Sequence, residues 1–187
     1  MKLISTFVIG SFITLSSLVA DNYSVDTTHS SIEFKIRHMM VSKTKGEFTT
    51  YSGNYNYDAK KHHLLALNGS VDIASVDTRS AKRDADLKTA EYFDLKKHPK
   101  MHLSLVNHKG DKAIVNLTIK GITKKVAFHI DELSDEIKDP WGNTRTGLSL
   151  STTINRKDFN VGANTGAMMV GEDVKITLEI EGIKEKL

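Results

Sequence analysis

The chain contains no cysteine. That absence excludes disulfides, thiolate metal sites, a cysteine nucleophile and a lipid-bearing cysteine. Proline is nearly absent too, with only Pro99 and Pro140. No Gly-x-Ser-x-Gly elbow and no His-Glu-x-x-His run occurs, and Gly121-Ile122-Thr123-Lys124 lacks the preceding glycine of a phosphate loop. No catalytic constellation is recognised, and no catalytic residue is assigned. An excess of one charge is also missing: the formal net charge is +3 over 187 residues, too little for the basic stripe of a nucleic-acid binder. The chain lacks a long apolar run as well. Leu3 to Leu15 is apolar but broken by Ser5, Thr6, Gly10, Ser11 and Thr14, short of the roughly twenty apolar residues that span a bilayer. Lys2 before this run and Leu18-Val19-Ala20 after it read as a secretory signal peptide over residues 1–20, cleaved near Ala20. The alternative is an uncleaved anchor. Residues 21–187 then form one domain with no stable membrane insertion expected.

Alternation dominates what remains. Ile32, Phe34 and Ile36 share one face against Glu33, Lys35 and Arg37; Ala113, Val115, Leu117 and Ile119 do so against Asn116, Thr118 and Lys120. The same period of two recurs from Leu65 to Ile73, from Met101 to Leu105, from Val126 to Ile130, from Leu148 to Ile154 and from Val174 to Ile180. Thr44 to Tyr57 reads as one long strand with bends or bulges at Gly46 and Gly53. Faces of one polar and one apolar side, joined by short turns such as Lys109-Gly110-Asp111, predict antiparallel sheet. About eight such strands close into an elongated antiparallel barrel, whose interior is either filled by side chains or wide enough for one small ligand. The alternation leaves both open.

One stretch departs from this pattern. After Val71, Ile73 and Val76, the segment from Arg79 to Ala90 has no β-branched apolar residue and is rich in helix formers. It predicts one short α-helix, N-capped by Asp77 or Thr78, followed by Tyr92 and Phe93 and stopped before Pro99. A lone helix in an all-β chain is expected to cover or flank an end.

The eight histidines raise a metal reading, but His62-His63 lie in a polar turn and His98 and His102 are separated by Pro99. No converging set of three or four ligands is apparent, so no metal site is assigned.

Three stretches resemble the YceI-like, or polyisoprenoid-binding, family of bacterial exported proteins: DTTHSSIEFKIRHMMVSKTKGEF (Asp26–Phe48), VDTRSAKRDADLKTAEYFD (Val76–Asp94), and the pair NLTIKGITKKV (Asn116–Val126) and TTINRKDFNVG (Thr152–Gly162). One position departs from the family pattern, Asp86 standing where a His is usual. The resemblance implies a periplasmic, lipocalin-like barrel with an apolar tunnel, a possible homodimer, no required cofactor, and binding of a long-chain amphiphile: a polyprenyl lipid, an isoprenoid quinone, or a fatty amide or acid. A quinone-linked enzyme or electron-transfer accessory, and a filled barrel acting only as a stress or interaction module, are the alternatives. On the tunnel reading, the tail would lie against Ile32, Phe34, Ile36, Phe48, Leu103, Leu117, Phe128, Leu150 and Ile176, with Met40 and Met168 at the rim. The bland reading of each is ordinary packing. Arg83, His38 and Asp84 are the head-group candidates; Arg83 offers a planar fork to phosphate or carbonyl oxygens, or else pairs with Asp84 or Asp77. Arg156 and Asp158 are read as fixing their own loop.

Overall fold

A computed structural model describes residues 20–186. The targeting segment assigned to residues 1–20 falls, but for Ala20, outside them. Twelve strands alternate with tight turns: β1 (Asp21–Val25), β2 (Ser31–His38), β3 (Ser42–Phe48), β4 (Tyr51–Asp58), β5 (His63–Asp72), β6 (Val76–Asp77), β7 (Lys100–Lys109), β8 (Lys112–Ile119), β9 (Ile122–Leu133), β10 (Ile137–Lys138), β11 (Thr144–Asn155) and β12 (Val170–Lys184). A single α-helix among the described residues, α1 (Ala81–Leu87), lies between β6 and β7. The expectation of an all-β antiparallel barrel with one short helix holds.

The ring closes in the order β1-β12-β11-β9-β8-β7-β5-β4 and back to β1, every pairing antiparallel. Closure removes the unpaired edge that an open sheet leaves exposed. The 15-residue β12 carries two neighbours on its second edge: β1 near its C-terminus and β2 along its N-terminal half. Thus β2, β3 and the short β6 form a flap continuing one end of the barrel. The stretch expected as one strand from Thr44 to Tyr57 is two. It turns a corner at Thr49-Thr50, because β3 pairs within the flap and β4 within the ring.

Three bulges in the ring shift the inward face, at Leu65, at Val106 and at Asp131 on β9. Opposite β4, Leu65 is the extra residue between Leu64 and Ala66, so Leu64 points into the core and Leu65 is exposed, against the simple alternation. On β7 the extra residue is Val106, which keeps the outward side that the alternation gives it, and beyond it His108 turns inward. Its Nδ1 accepts from the Leu64 N–H at 2.9 Å and its Nε2 donates to the Gly110 carbonyl at 2.9 Å, which satisfies a buried imidazole without a metal.

The helix is shorter than expected and capped elsewhere. Asp84 accepts from both the Thr78 N–H (2.9 Å) and the Thr78 hydroxyl (2.6 Å), while Asp77 accepts from the Arg79 N–H (2.7 Å). With both residues so engaged, the chain turns at Arg79 in the left-handed region and the helix starts one residue later, on Ser80 as N-cap. At the other end the Phe93 N–H donates to the Leu87 carbonyl, which folds the chain back and sets Tyr92 and Phe93 against the barrel.

Candidate ligand-binding cavity

The barrel interior is filled at one end and hollow at the other. At the filled end Tyr23 and Tyr55 stack at 5.1 Å between ring centroids, and Tyr57 meets Tyr23 edge-on at 6.4 Å. All three are buried. Their hydroxyls are answered: Tyr55 by the Thr146 hydroxyl (2.6 Å), Tyr57 by the Ser134 carbonyl (2.9 Å) and Tyr23 by the Glu136 carboxylate. Burial pushes Tyr55 and Tyr57 up to about 12. Burial raises Tyr23 further, and its bond to Glu136 adds to the rise.

This plug is braced from outside. Arg145 donates to Asp26 (2.7 Å), to Asp139 (2.7 Å) and to Glu181. Hydrogen bonds from Thr28, His29 and Arg145 hold Asp26 below the usual carboxylate range. Burial alone would raise Asp139, but its bonds from Arg145 and Asn143 outweigh this and lower it. Asp26, His29 and Glu181 lie close enough to one another to share a cation; the Arg145 guanidinium already supplies the positive charge to both carboxylates.

Beyond the tyrosines the interior opens into a cavity of about 280 Å³. Every expected tail residue on the strands lines it: Ile32, Phe34, Ile36, Phe48, Leu103, Leu117, Phe128, Leu150 and Ile176. Burial follows the space. Ile32, Phe34, Ile36, Leu103 and Ile176 point inward yet keep part of their surface accessible, whereas inward Ala113 and Val115, level with the tyrosine-filled end, have none. Phe48, Phe34 and Phe93 form an aromatic corner. Leu87, Tyr92 and Phe93, together with Phe159 and Val161, reach over the hollow end.

Two cations fasten this covering segment. Lys120 donates to the carbonyls of Ala90 (2.8 Å), Glu91 (3.2 Å) and Asn160 (2.8 Å). Arg156, buried, donates to five carbonyls, those of Val161, Gly162, Thr165, Val170 and Gly171. Arg156 therefore fixes its own loop, as expected. Asp158 instead faces Lys124 at 3.5 Å.

The mouth is polar. His38, Thr44, Thr78, Arg83 and Asp86 line it. Arg83 pairs with neither Asp84 nor Asp77. Its Nε donates to the Thr78 hydroxyl (2.7 Å) and its Nη2 to the Thr78 carbonyl (2.6 Å). Three of the expected site residues are placed elsewhere. Asp84 is turned onto Thr78 and does not line the cavity; Met40 and Met168 point into solvent, outside the lining. The reason at Met40 is backbone: Met39 and Met40 both have positive φ, which flips the turn away from the barrel. Asp86 lines the mouth although no head-group role was assigned to it. The tyrosine plug also escaped the sequence reading. Its signal was there in the alternation of Tyr55 and Tyr57, but nothing in a strand pattern tells a plug from a wall.

The fold and the cavity define a class: a closed antiparallel barrel, stoppered at one end, with an apolar chamber and a polar mouth at the other. Residues 23–182 match the YceI-like domain, and the chain belongs to that family. A UPF0312 protein of Photorhabdus laumondii is 36% identical over 177 residues, covering 91% of each chain. The crystal structure of the Campylobacter jejuni YceI protein superposes with a TM-score of 0.72 at 27% identity, over 80% of this chain and 90% of that one. A polyisoprenoid-binding domain from Saccharophagus degradans shares the fold, with a TM-score of 0.62 at 14% identity over 87% of this chain and 98% of that one. Among the described residues no helix is long and apolar enough to cross a membrane.

Proposed function

We propose that this protein binds a long-chain amphiphile, with the tail in the cavity and the head at the mouth, and carries or stores it in the periplasm after export. The observation that carries the reading is the cavity itself: about 280 Å³ of space walled by Ile, Leu, Phe and Val, close to the lower limit of about 300 Å³ for small-molecule pockets. Each methylene withdrawn from water contributes about 0.8 kcal/mol, so ten supply roughly 8 kcal/mol before association costs. Tyr23, Tyr55 and Tyr57 fill the far end of the barrel, so a tail enters from the Arg83 end and stops short of them, within the apolar lining. A polar groove between β3 and Thr78–Arg83 shares Glu33, Thr44, Thr78 and Arg83 with the cavity, which gives a head group room outside the apolar space. The similar Saccharophagus degradans domain is described as polyisoprenoid-binding, which supports a polyprenyl or isoprenoid tail over a short acyl chain.

The test is organic extraction of the protein purified from its periplasm, with native mass spectrometry before and after. A co-purifying amphiphile that reloads onto the stripped protein is expected. Protein that emerges clean and takes up neither polyprenyl phosphate nor quinone rules the reading out.

A further inference from the structure

Five of the large apolar side chains exposed on this protein gather in one place. Met39, Met40 and Val41 form the β2–β3 turn, and Met168 and Met169 the turn before β12; they are 52–89% exposed. The Met39 N–H donates to the Met169 carbonyl at 3.0 Å, so the two turns make one tip. Met39 and Met40 hold φ of 47° and 57°, a conformation that Asn or Gly adopts readily and a methionine does not. Apolar residues thus occupy a strained turn that leaves more than half of their surface in water.

The strands leading to the tip are just as unusual. On their outer face Lys175 pairs with Lys35, and Lys35 with Lys45, in a row across β12, β2 and β3. Arg37 pairs with Lys43 one step nearer the tip. Like charges directly opposite one another destabilise a sheet, and none of these five forms an ion pair among the described residues. Farther from the tip the sign reverses, in the row Glu33, Glu47 and Asp77. The face is therefore graded: apolar at the point, basic behind it, acidic behind that. Asp173 is the exposed acid nearest the tip on β12.

We infer that this tip docks the protein on an anionic bilayer surface. The methionines and Val41 enter the interface between headgroups and acyl chains. The Lys175–Lys35–Lys45 row and the Arg37–Lys43 pair lie against the anionic headgroups, which relieve their mutual repulsion. The acidic row keeps the barrel from lying down on its side. Val170 pairs with His38 at the base of the tip, and both line the cavity, so docking brings the mouth to the membrane. This goes beyond tail binding, and it is tested without a tail.

The experiment is vesicle flotation of the protein as the cell processes it, its N-terminus established by mass spectrometry. Vesicles of phosphatidylglycerol with phosphatidylethanolamine are compared with vesicles of phosphatidylcholine. The protein should float with the anionic vesicles, stay behind with the neutral ones, and be released by molar salt, which shortens the screening length to about 3 Å. Lys35→Gln/Lys45→Gln/Lys175→Gln should lose about a hundredfold in partitioning while its melting temperature holds or rises. Met40→Asn/Met168→Asn should lose anionic binding with the fold intact, since Asn accepts the left-handed conformation at 40 and Met168 is exposed. Equal binding to both vesicles, or binding to neither, overturns the inference. So does a dimer in sedimentation that both variants dissociate, because a second copy would then cover the tip.

Discussion

The ring of Phe34 lies directly over the α-carbon of Gly46, its partner across β2 and β3, so closely that a Cβ at 46 would fall 2.3 Å from the ring. Thr78 closes the same spot at 2.8 Å. Gly46 is therefore neither bend nor bulge; it is the recess that keeps Phe34 against the wall and out of the chamber. Gly46→Ala should cost about 1–3 kcal/mol by overpacking and swing Phe34 into the cavity. Urea denaturation reads the first effect and uptake of a fluorescent fatty acid the second. Unchanged uptake would place the ring elsewhere.

Bulk should be tolerated at the hollow end and rejected at the filled one. Ile176→Trp adds volume where there is space, so stability should change by less than about 1.5 kcal/mol while uptake is lost. Ala113→Trp drives the same ring into a packed layer and should cost about 3 kcal/mol or unfold the chain. The pair is compared by denaturation and ligand uptake on the same preparations.

Arg156→Met removes the shared donor of five buried or part-buried carbonyls. Charged hydrogen bonds are worth about 1.5–3 kcal/mol each, and they do not add, so a loss of about 3–5 kcal/mol is expected. Arg156→Lys keeps the charge but not the fork and should recover only part of it. A loss below about 1 kcal/mol would mean that the loop holds without this residue.

Stability should fall in acid by a route that Arg145 controls. Asp26 and Asp139 have folded pKa values below their unfolded values near 3.8. Their contribution is complete above that value and is lost as the pH falls below it, when the unfolded chain takes up protons first. Arg145→Met should lower the melting temperature at pH 7, and the gap to the wild type should narrow toward pH 2. A constant gap would separate Arg145 from these carboxylates.

In alkali the plug gives the opposite slope. Tyr55 and Tyr57 titrate near 12 when folded, against 10 unfolded, so their contribution is present below pH 10 and is lost as the pH rises toward 12. Tyrosinate absorbance should appear together with unfolding. Tyr55→Phe should shift the alkaline midpoint upward. Free titration of all the tyrosines near pH 10, with the barrel still folded, would show the plug open to water.

The residues made some of this legible and withheld the rest for identifiable reasons. Period-two alternation exposed the strands at Ile32–Ile36, Ala113–Ile119 and Leu148–Ile154, since a half-buried pleat imposes it directly. It failed at Leu65 and at His108, because a bulge shifts the register and leaves no mark in composition. The helix was visible between Val76 and Pro99, but its cap was not. Which of Asp77, Thr78 and Ser80 caps depends on where Asp84 reaches, and that is a matter of distance. The apolar lining was readable as inward-facing residues, whereas Met40 and Met168 were misplaced because left-handed φ at Met39 and Met40 turns the tip outward.

Covalent order and side-chain chemistry alone determined an antiparallel all-β chain, the sides of its strands that shun water, and its likeness to the YceI-like family. Only the tertiary structure decided that the interior is half stopper and half chamber. Tyr23, Tyr55 and Tyr57 come from two strands, and the wall around the hollow from many more. Whether inward side chains meet or leave a gap is fixed by the closure of the ring and by packing across it, and no local pattern along one strand encodes the distance to the strand opposite.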